Sequence, residues 1–144
     1  MLFPDVNVLV HAFRDADTAE GPVLRTWLER SLGGDESVGI SEQVLASVVR
    51  IVTHPRIFVE PAPAAAALEF CEAVSAAPAA QVVRPGPRHW AHFRRLVAGQ
   101  RLRGNDVADA YLASLALEHG ATFVTLDRGF RRFDGLRLLD PMAG

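Results

Sequence analysis

Short apolar runs that stop abruptly at an acid or a hydroxyl, each followed by a stretch of helical periodicity, set the frame for this chain. Leu2-Phe3-Pro4 stops at Asp5, Ser37-Val38-Gly39-Ile40 stops at Ser41 and Glu42, and Ala121 to Thr125 runs out at Asp127. Between them, apolar residues recur at helical spacing. Val23, Leu24, Trp27, Leu28 and Leu32 follow Pro22, and Val44, Leu45, Val48, Val49 and Val52 follow Ser41. Val107, Ala110, Leu112, Leu115 and Leu117 do the same over residues 106–119. Strand-length runs alternating with helical stretches require parallel strands, because the helix carries the chain back to the starting edge. The expectation is an α/β fold of three layers, α/β/α, with a mostly parallel sheet of four to five strands.

The remaining segments fit this plan. Val6 to Ala12 reads as a short buried helix or as a continuation of the first strand, and periodicity cannot decide over so few residues. Ala62 to Ala80 holds ten alanines in nineteen residues and is read as a helix with a weak stripe of Leu68, Cys71 and Val74. Gln81-Val82-Val83 is a strand, Pro85-Gly86-Pro87 a turn, and Leu136 to Leu139 a last strand. Arg88 to Gly99 is amphipathic, and its stripe of Trp90, Phe93 and Val97 is expected to face inward. A length of 144 residues suits one domain spanning 1–144.

Composition removes several chemistries. The cations are arginines without a single lysine, which excludes a lysine Schiff base and a Walker-type phosphate loop. Cys71 stands alone, so no internal disulfide or cysteine-built zinc site forms, in keeping with a cytoplasmic location. No G-x-S-x-G elbow gives Ser41, Ser47 or Ser114 a nucleophile's setting. The start of the chain does not read as a signal peptide, and no run approaches a membrane span. Net charge is −2, yet residues 84–103 hold six arginines with His89 and His92 and no carboxylate. Such a local positive face suits a phosphate-bearing partner or, equally, a solvated helix face.

In a parallel α/β sheet, ligands gather beyond the carboxyl ends of the strands. The polar residues there are Asp5 and Asn7, Ser41 and Glu42, Asp106 and Asp109 at the start of a helix, and Thr125 with Asp127. Each acid has a plain alternative as a helix cap, a first-turn residue or a turn aspartate. Brought together they would repel one another, and a hard divalent cation, Mg²⁺ or Mn²⁺, would offset that repulsion. Such a metal lowers the pKa of a bound water and offsets charge on a phosphodiester in displacement.

The order of motifs carries a resemblance. Asp5-Val6-Asn7-Val8-Leu9, Arg50-Ile51-Val52-Thr53-His54-Pro55-Arg56-Ile57-Phe58, Arg103-Gly104-Asn105-Asp106-Val107-Ala108-Asp109-Ala110 and Thr125-Leu126-Asp127-Arg128-Gly129-Phe130 follow one another through nearly the whole chain. In that order and spacing the chain resembles a PIN domain, in particular a VapC-type toxin. The resemblance implies a Mg²⁺- or Mn²⁺-dependent endoribonuclease acting on RNA, a cognate VapB-type antitoxin that blocks it, and a homodimer. It implies Asp5, Asp109 and Asp127 as catalytic metal ligands, with Asn7, Thr125 and Asp106 in support. The family's second acid lies one helical turn before the arginine that here is Arg50, and that position is Ser47. Glu42, at the helix start, is expected to take its place. The arginines, Arg50, Arg56 and Arg128 included, would contact RNA phosphates. Trp90 would stack on a base or, as its stripe with Phe93 favours, pack inside, and Trp27 would line a groove for an antitoxin helix or pack inside. A catalytically weak or inactive PIN domain that binds RNA or an antitoxin is the alternative.

Overall fold

The Asp5 carboxylate decides the first boundary. It accepts a hydrogen bond from the Val6 N–H at 2.7 Å, so the strand Leu2–Pro4 (β1) passes directly into a helix, Val6–Phe13 (α1). This settles the open choice over residues 6–12, because an N-cap satisfies a donor that a continuing strand would have to pair elsewhere. The computed structural model describes residues 1–143. After α1 come α2 (Gly21–Leu32), β2 (Val38–Ile40), α3 (Glu42–Val52), α4 (Ala64–Ser75) and β3 (Ala80–Val82). Then follow α5 (His89–Gln100), α6 (Asn105–His119), β4 (Thr122–Val124), a 3-10 turn (Arg128–Arg132) and β5 (Arg137–Leu139).

The five strands form one sheet in the order β3-β2-β1-β4-β5, and every neighbouring pair is parallel. β1 is central, with Leu2, Phe3 and Pro4 opposite Thr122, Phe123 and Val124 of β4. Pro4, which has no N–H to donate, stands at the end of its strand as expected. Phe3 and Phe123 join the main core, whereas Leu2 and Val124 join a second cluster with Val8, Leu24 and Trp27. Successive strand residues point to opposite faces, so both faces of the sheet are covered and the fold is the three-layer α/β/α arrangement. The expected α/β class stands, and the sheet is wholly parallel.

Two helices differ from expectation. The alanine-rich helix covers Ala64–Ser75 rather than residues 62–80, and it buries Ala67, Cys71 and Val74 while Leu68 stays outside. Alanine lends itself to a helix anywhere along the run, but Ala79 donates its N–H to the Leu32 carbonyl and Ala80 enters β3, so sheet pairing claims the end of the run. α5 is rotated from its expected stripe. It buries His89 and Leu96, and Trp90 is 66% exposed. The His89 Nε2 lies 3.1 Å from the Tyr111 carbonyl oxygen and the His89 ring packs edge-on to the Tyr111 ring, so the histidine takes the inner place with its polarity satisfied. No helix among the described residues is long and apolar enough to cross a membrane.

Candidate active site

β1 and β4 are neighbours, so the residues just past their ends meet although 120 positions separate them in sequence. The Asp5 N–H donates to the Val124 carbonyl at 2.8 Å, extending the ladder and leaving the Asp5 side chain beside Thr125. The Thr125 hydroxyl donates to Asp5 Oδ2 at 2.7 Å. Its oxygen accepts from the Asp127 N–H at 3.0 Å and from Asn7 Nδ2 at 3.3 Å, which uses all the bonding capacity of a hydroxyl. Asn7 also donates to Asp5 Oδ2 at 3.3 Å and accepts from the Leu126 N–H at 3.4 Å. Asp5, Asn7, Thr125 and Asp127 thus form one hydrogen-bonded knot across the two strand ends. Asp127 Oδ1 in turn accepts from the Gly129 N–H at 2.8 Å and starts the 3-10 turn.

Asp109 arrives from α6. Asp5, Asp109 and Asp127 line one cavity of about 410 Å³. α3 lines the same cavity with Gln43, Ser47 and Arg50, and α1 adds His11. The three acids are therefore brought together as expected. Asn7 also lines the cavity, whereas Thr125 acts from behind it through its bonds to Asp5 and Asp127. Asp106, one turn before Asp109, is not among the lining residues. It shares with Asp109 the guanidinium of Arg132, whose Nη2 lies 3.1 Å from Asp109 Oδ2 and 3.4 Å from Asp106 Oδ1.

Glu42 is a correction. Its side chain is 72% exposed and pairs with Arg84 at 3.3 Å, beside β3 and away from the three acids. Ser41 caps α3 through the Val44 N–H, and Glu42 follows as the first helical residue. Five residues at 100° each place Glu42 about 140° around the helix from Ser47. Ser47 is the position that faces the cavity, so this wall carries a hydroxyl where the resemblance calls for a carboxylate. Arg132 was not foreseen. It sits in a short 3-10 turn without periodicity, and the only signal was its closeness in sequence to Asp127. Its Nη1 donates to the Gly129 carbonyl at 2.8 Å, its guanidinium lies over the Phe133 ring, and its buried Nε has no partner among the described residues.

Electrostatics set the acid side apart. Burial pushes the Asp5 pKa up to about 6, against the opposing hydrogen bonds from Thr125 and Val6, and the charges of Asp109 and Asp127 push the same way. Asp109 is also raised, by burial first, with Arg132 pulling it back and Asp127 and Asp106 adding to the rise. Among the described residues, no three acid, histidine or cysteine side chains are gathered into a ligating cluster. The donor set nonetheless suits a hard cation. It consists of carboxylate oxygens facing one cavity, and one of these groups resists ionising without added positive charge. Among the described residues, Asp109 Oδ1 and Asp127 Oδ2 accept no hydrogen bond, which leaves each an oxygen to offer.

Comparison with known proteins places the chain in a family. A family model described as the PIN domain matches residues 2–136. The chain is 48% identical over 144 residues to the VapC ribonuclease Mb2897 of Mycobacterium bovis, covering 100% of this chain and 97% of that one. It is 39% identical over 141 residues to the ribonuclease VapC25 of Mycobacterium tuberculosis, covering 98% of this chain and 99% of that one. In fold it is similar to VapBC2 from Rickettsia felis bound to a DNA fragment from their promoter. The TM-score is 0.66 at 17% identity, over 96% of this chain and 98% of that one.

Proposed function

The chain belongs to the PIN-domain family, and on that premise we propose that it is a metal-dependent endoribonuclease of the VapC type. Residues 1–144 act as one nuclease unit that hydrolyses RNA phosphodiester bonds in the cytoplasm, and a VapB-type antitoxin restrains it. One observation carries the reading: Asp5, Asp109 and Asp127, from separate stretches of the chain, line a single cavity beyond the ends of β1 and β4. The relatives matched over essentially their whole length are named ribonucleases, and a fold neighbour was solved as VapBC2 bound to promoter DNA.

Asp5, Asp109 and Asp127 would hold Mg²⁺ or Mn²⁺. When bound, the cation supplies a water of lowered pKa and offsets charge on the phosphodiester. Thr125 and Asn7 fix the Asp5 carboxylate, so its orientation is set before substrate arrives. A carboxylate not bound tightly to the metal would take the proton of the attacking water. Arg50, which lines the cavity and forms no ion pair among the described residues, takes a phosphate oxygen of the RNA. The groove beside Trp27, lined by Val23 and Leu139, suits an antitoxin helix, and two copies form a homodimer.

The test is digestion of RNA and of single-stranded DNA, side by side, with Mg²⁺ or Mn²⁺ and with chelator. Cleavage of RNA alone is expected, requiring metal and lost in Asp5→Ala and in Asp109→Ala. Cleavage that persists in both variants would overturn the assignment. Ser47 on the cavity wall and the Arg132 bridge to Asp109 favour a second reading, a weak or inactive domain that binds RNA or antitoxin. Tight RNA binding in chelator, with no cutting at any metal concentration, would select that reading.

A further inference from the structure

α5 turns an aromatic residue outward amid unpaired cations. Trp90 is 66% exposed, a costly place for the largest side chain in the chain. One side of its indole rests on Phe93, with ring centroids 5.5 Å apart and a tilt of 40°, so the ring is braced and its other side meets solvent. Arg94 follows one helical turn later, and Arg88 and Arg101 stand at the two ends of α5. None of Arg88, Arg94, Arg95, Arg101 and Arg103 forms an ion pair among the described residues. Residues 84–103 contain no carboxylate, although the whole chain has a net charge of −2. A solvated helix face accounts for the arginines but not for an exposed indole.

A ligand that suits this face must offer spaced negative charge and a flat apolar ring together. Single-stranded nucleic acid does so, because its phosphates pair with guanidinium groups and its bases stack on aromatic rings. A duplex offers only the phosphates, since its bases are already stacked. The face is joined to the acids through the chain. α5 rises about 15 Å from Trp90 to Gln100, and residues 101–104 lead straight into α6, which carries Asp106 and Asp109.

We propose that Trp90 stacks on an unpaired base of the RNA substrate, while Arg94, Arg88 and Arg101 hold the flanking phosphates. This inference rests on the ribonuclease reading, and its test separates the two. Wild type, Trp90→Phe and Trp90→Ala are titrated in chelator with a stem–loop RNA and with a fully paired RNA of equal length. Stem–loop RNA quenches tryptophan fluorescence in wild type, and the quench disappears in Trp90→Phe, whose remaining Trp27 signal reports an intact fold. The Trp90→Ala Kd for the stem–loop rises about five- to a hundredfold, the worth of one stacked base, and its Kd for duplex stays within about twofold. Arg94→Ala weakens binding to both RNAs alike and lowers the salt dependence by about one ion. With Mn²⁺ present, Trp90→Ala raises KM and leaves kcat nearly unchanged, because contact away from the scissile bond is uniform binding.

An unchanged Kd in Trp90→Ala overturns the inference. So does a change in oligomeric mass with RNA affinity intact, which would assign the face to a second copy of the chain. If no RNA is cut with any metal, the ribonuclease reading fails, and the chelator titrations still decide the role of Trp90.

Discussion

The cavity has two unlike walls. The wall built from the ends of β1 and β4 and the start of α6 carries Asp5, Asp109 and Asp127, held by Thr125, Asn7, Arg132 and backbone N–H groups. The wall built from α3 carries Gln43, Ser47 and Arg50, with no carboxylate. On the first wall, the groups are fixed before any ligand arrives and like charges are crowded together. On the second, the polar side chains have no fixed partners among the described residues. The difference teaches that the carboxylate charge is concentrated on one side, while the other side presents neutral polar groups and a guanidinium.

Removing the acid character of the first wall has the largest effect. Asp5→Asn should reduce metal-dependent RNA cleavage by at least about a hundredfold. The same change should stabilise the metal-free protein above pH 6. Asp5 has a folded-state pKa of about 6, above the unfolded value of 3.8, so the folded form holds its proton more tightly. The ionised group therefore opposes folding at neutral pH, and this penalty fades as pH falls from 6 toward 4. Thermal unfolding of metal-free wild type and Asp5→Asn should show the variant ahead at pH 7.5 by on the order of 2 kcal/mol, with the gap closing near pH 4. An equal gap at both pH values would mean that the strain is not electrostatic.

Adding an acid to the second wall narrows the contrast. Ser47→Glu supplies a carboxylate where the cavity lacks one, and Mn²⁺ titration calorimetry should show a Kd lower by about tenfold, roughly one added charge-assisted ligand. Unchanged affinity would show that α3 does not face the ion. The smallest effect is expected at Glu42. Glu42→Gln breaks only the exposed pair with Arg84, so cleavage should stay within about twofold of wild type and stability within about 0.5 kcal/mol. A large loss of cleavage would restore Glu42 to the site.

What could be read from the sequence followed short-range rules. Asp5 as a cap, Ser41 as a cap and the strand–helix alternation were legible because each depends on neighbours in the chain. The convergence of Asp5, Asp109 and Asp127 was legible through topology, since strand ends in a parallel sheet share one rim. Glu42 misled because closeness in sequence to Ser47 says nothing of the angle between them around the helix. Trp90 misled because hydrophobicity places an indole inside before a histidine. The decisive contact of His89 with the Tyr111 carbonyl joins residues 22 positions apart, where local periodicity has no information. Arg132 was hidden for the same reason, since its partner Asp109 lies 23 positions earlier.

The pairing of β1 with β4 also orders events during synthesis. β1 is made well before β4, its partner on that side, because 120 positions separate Asp5 from Thr125 at their ends. Until Thr125 and Asp127 have appeared, Asp5 lacks its hydroxyl donor and one of the two acids that share its cavity. A nascent chain of this build carries its first acid long before the cavity around that acid can close.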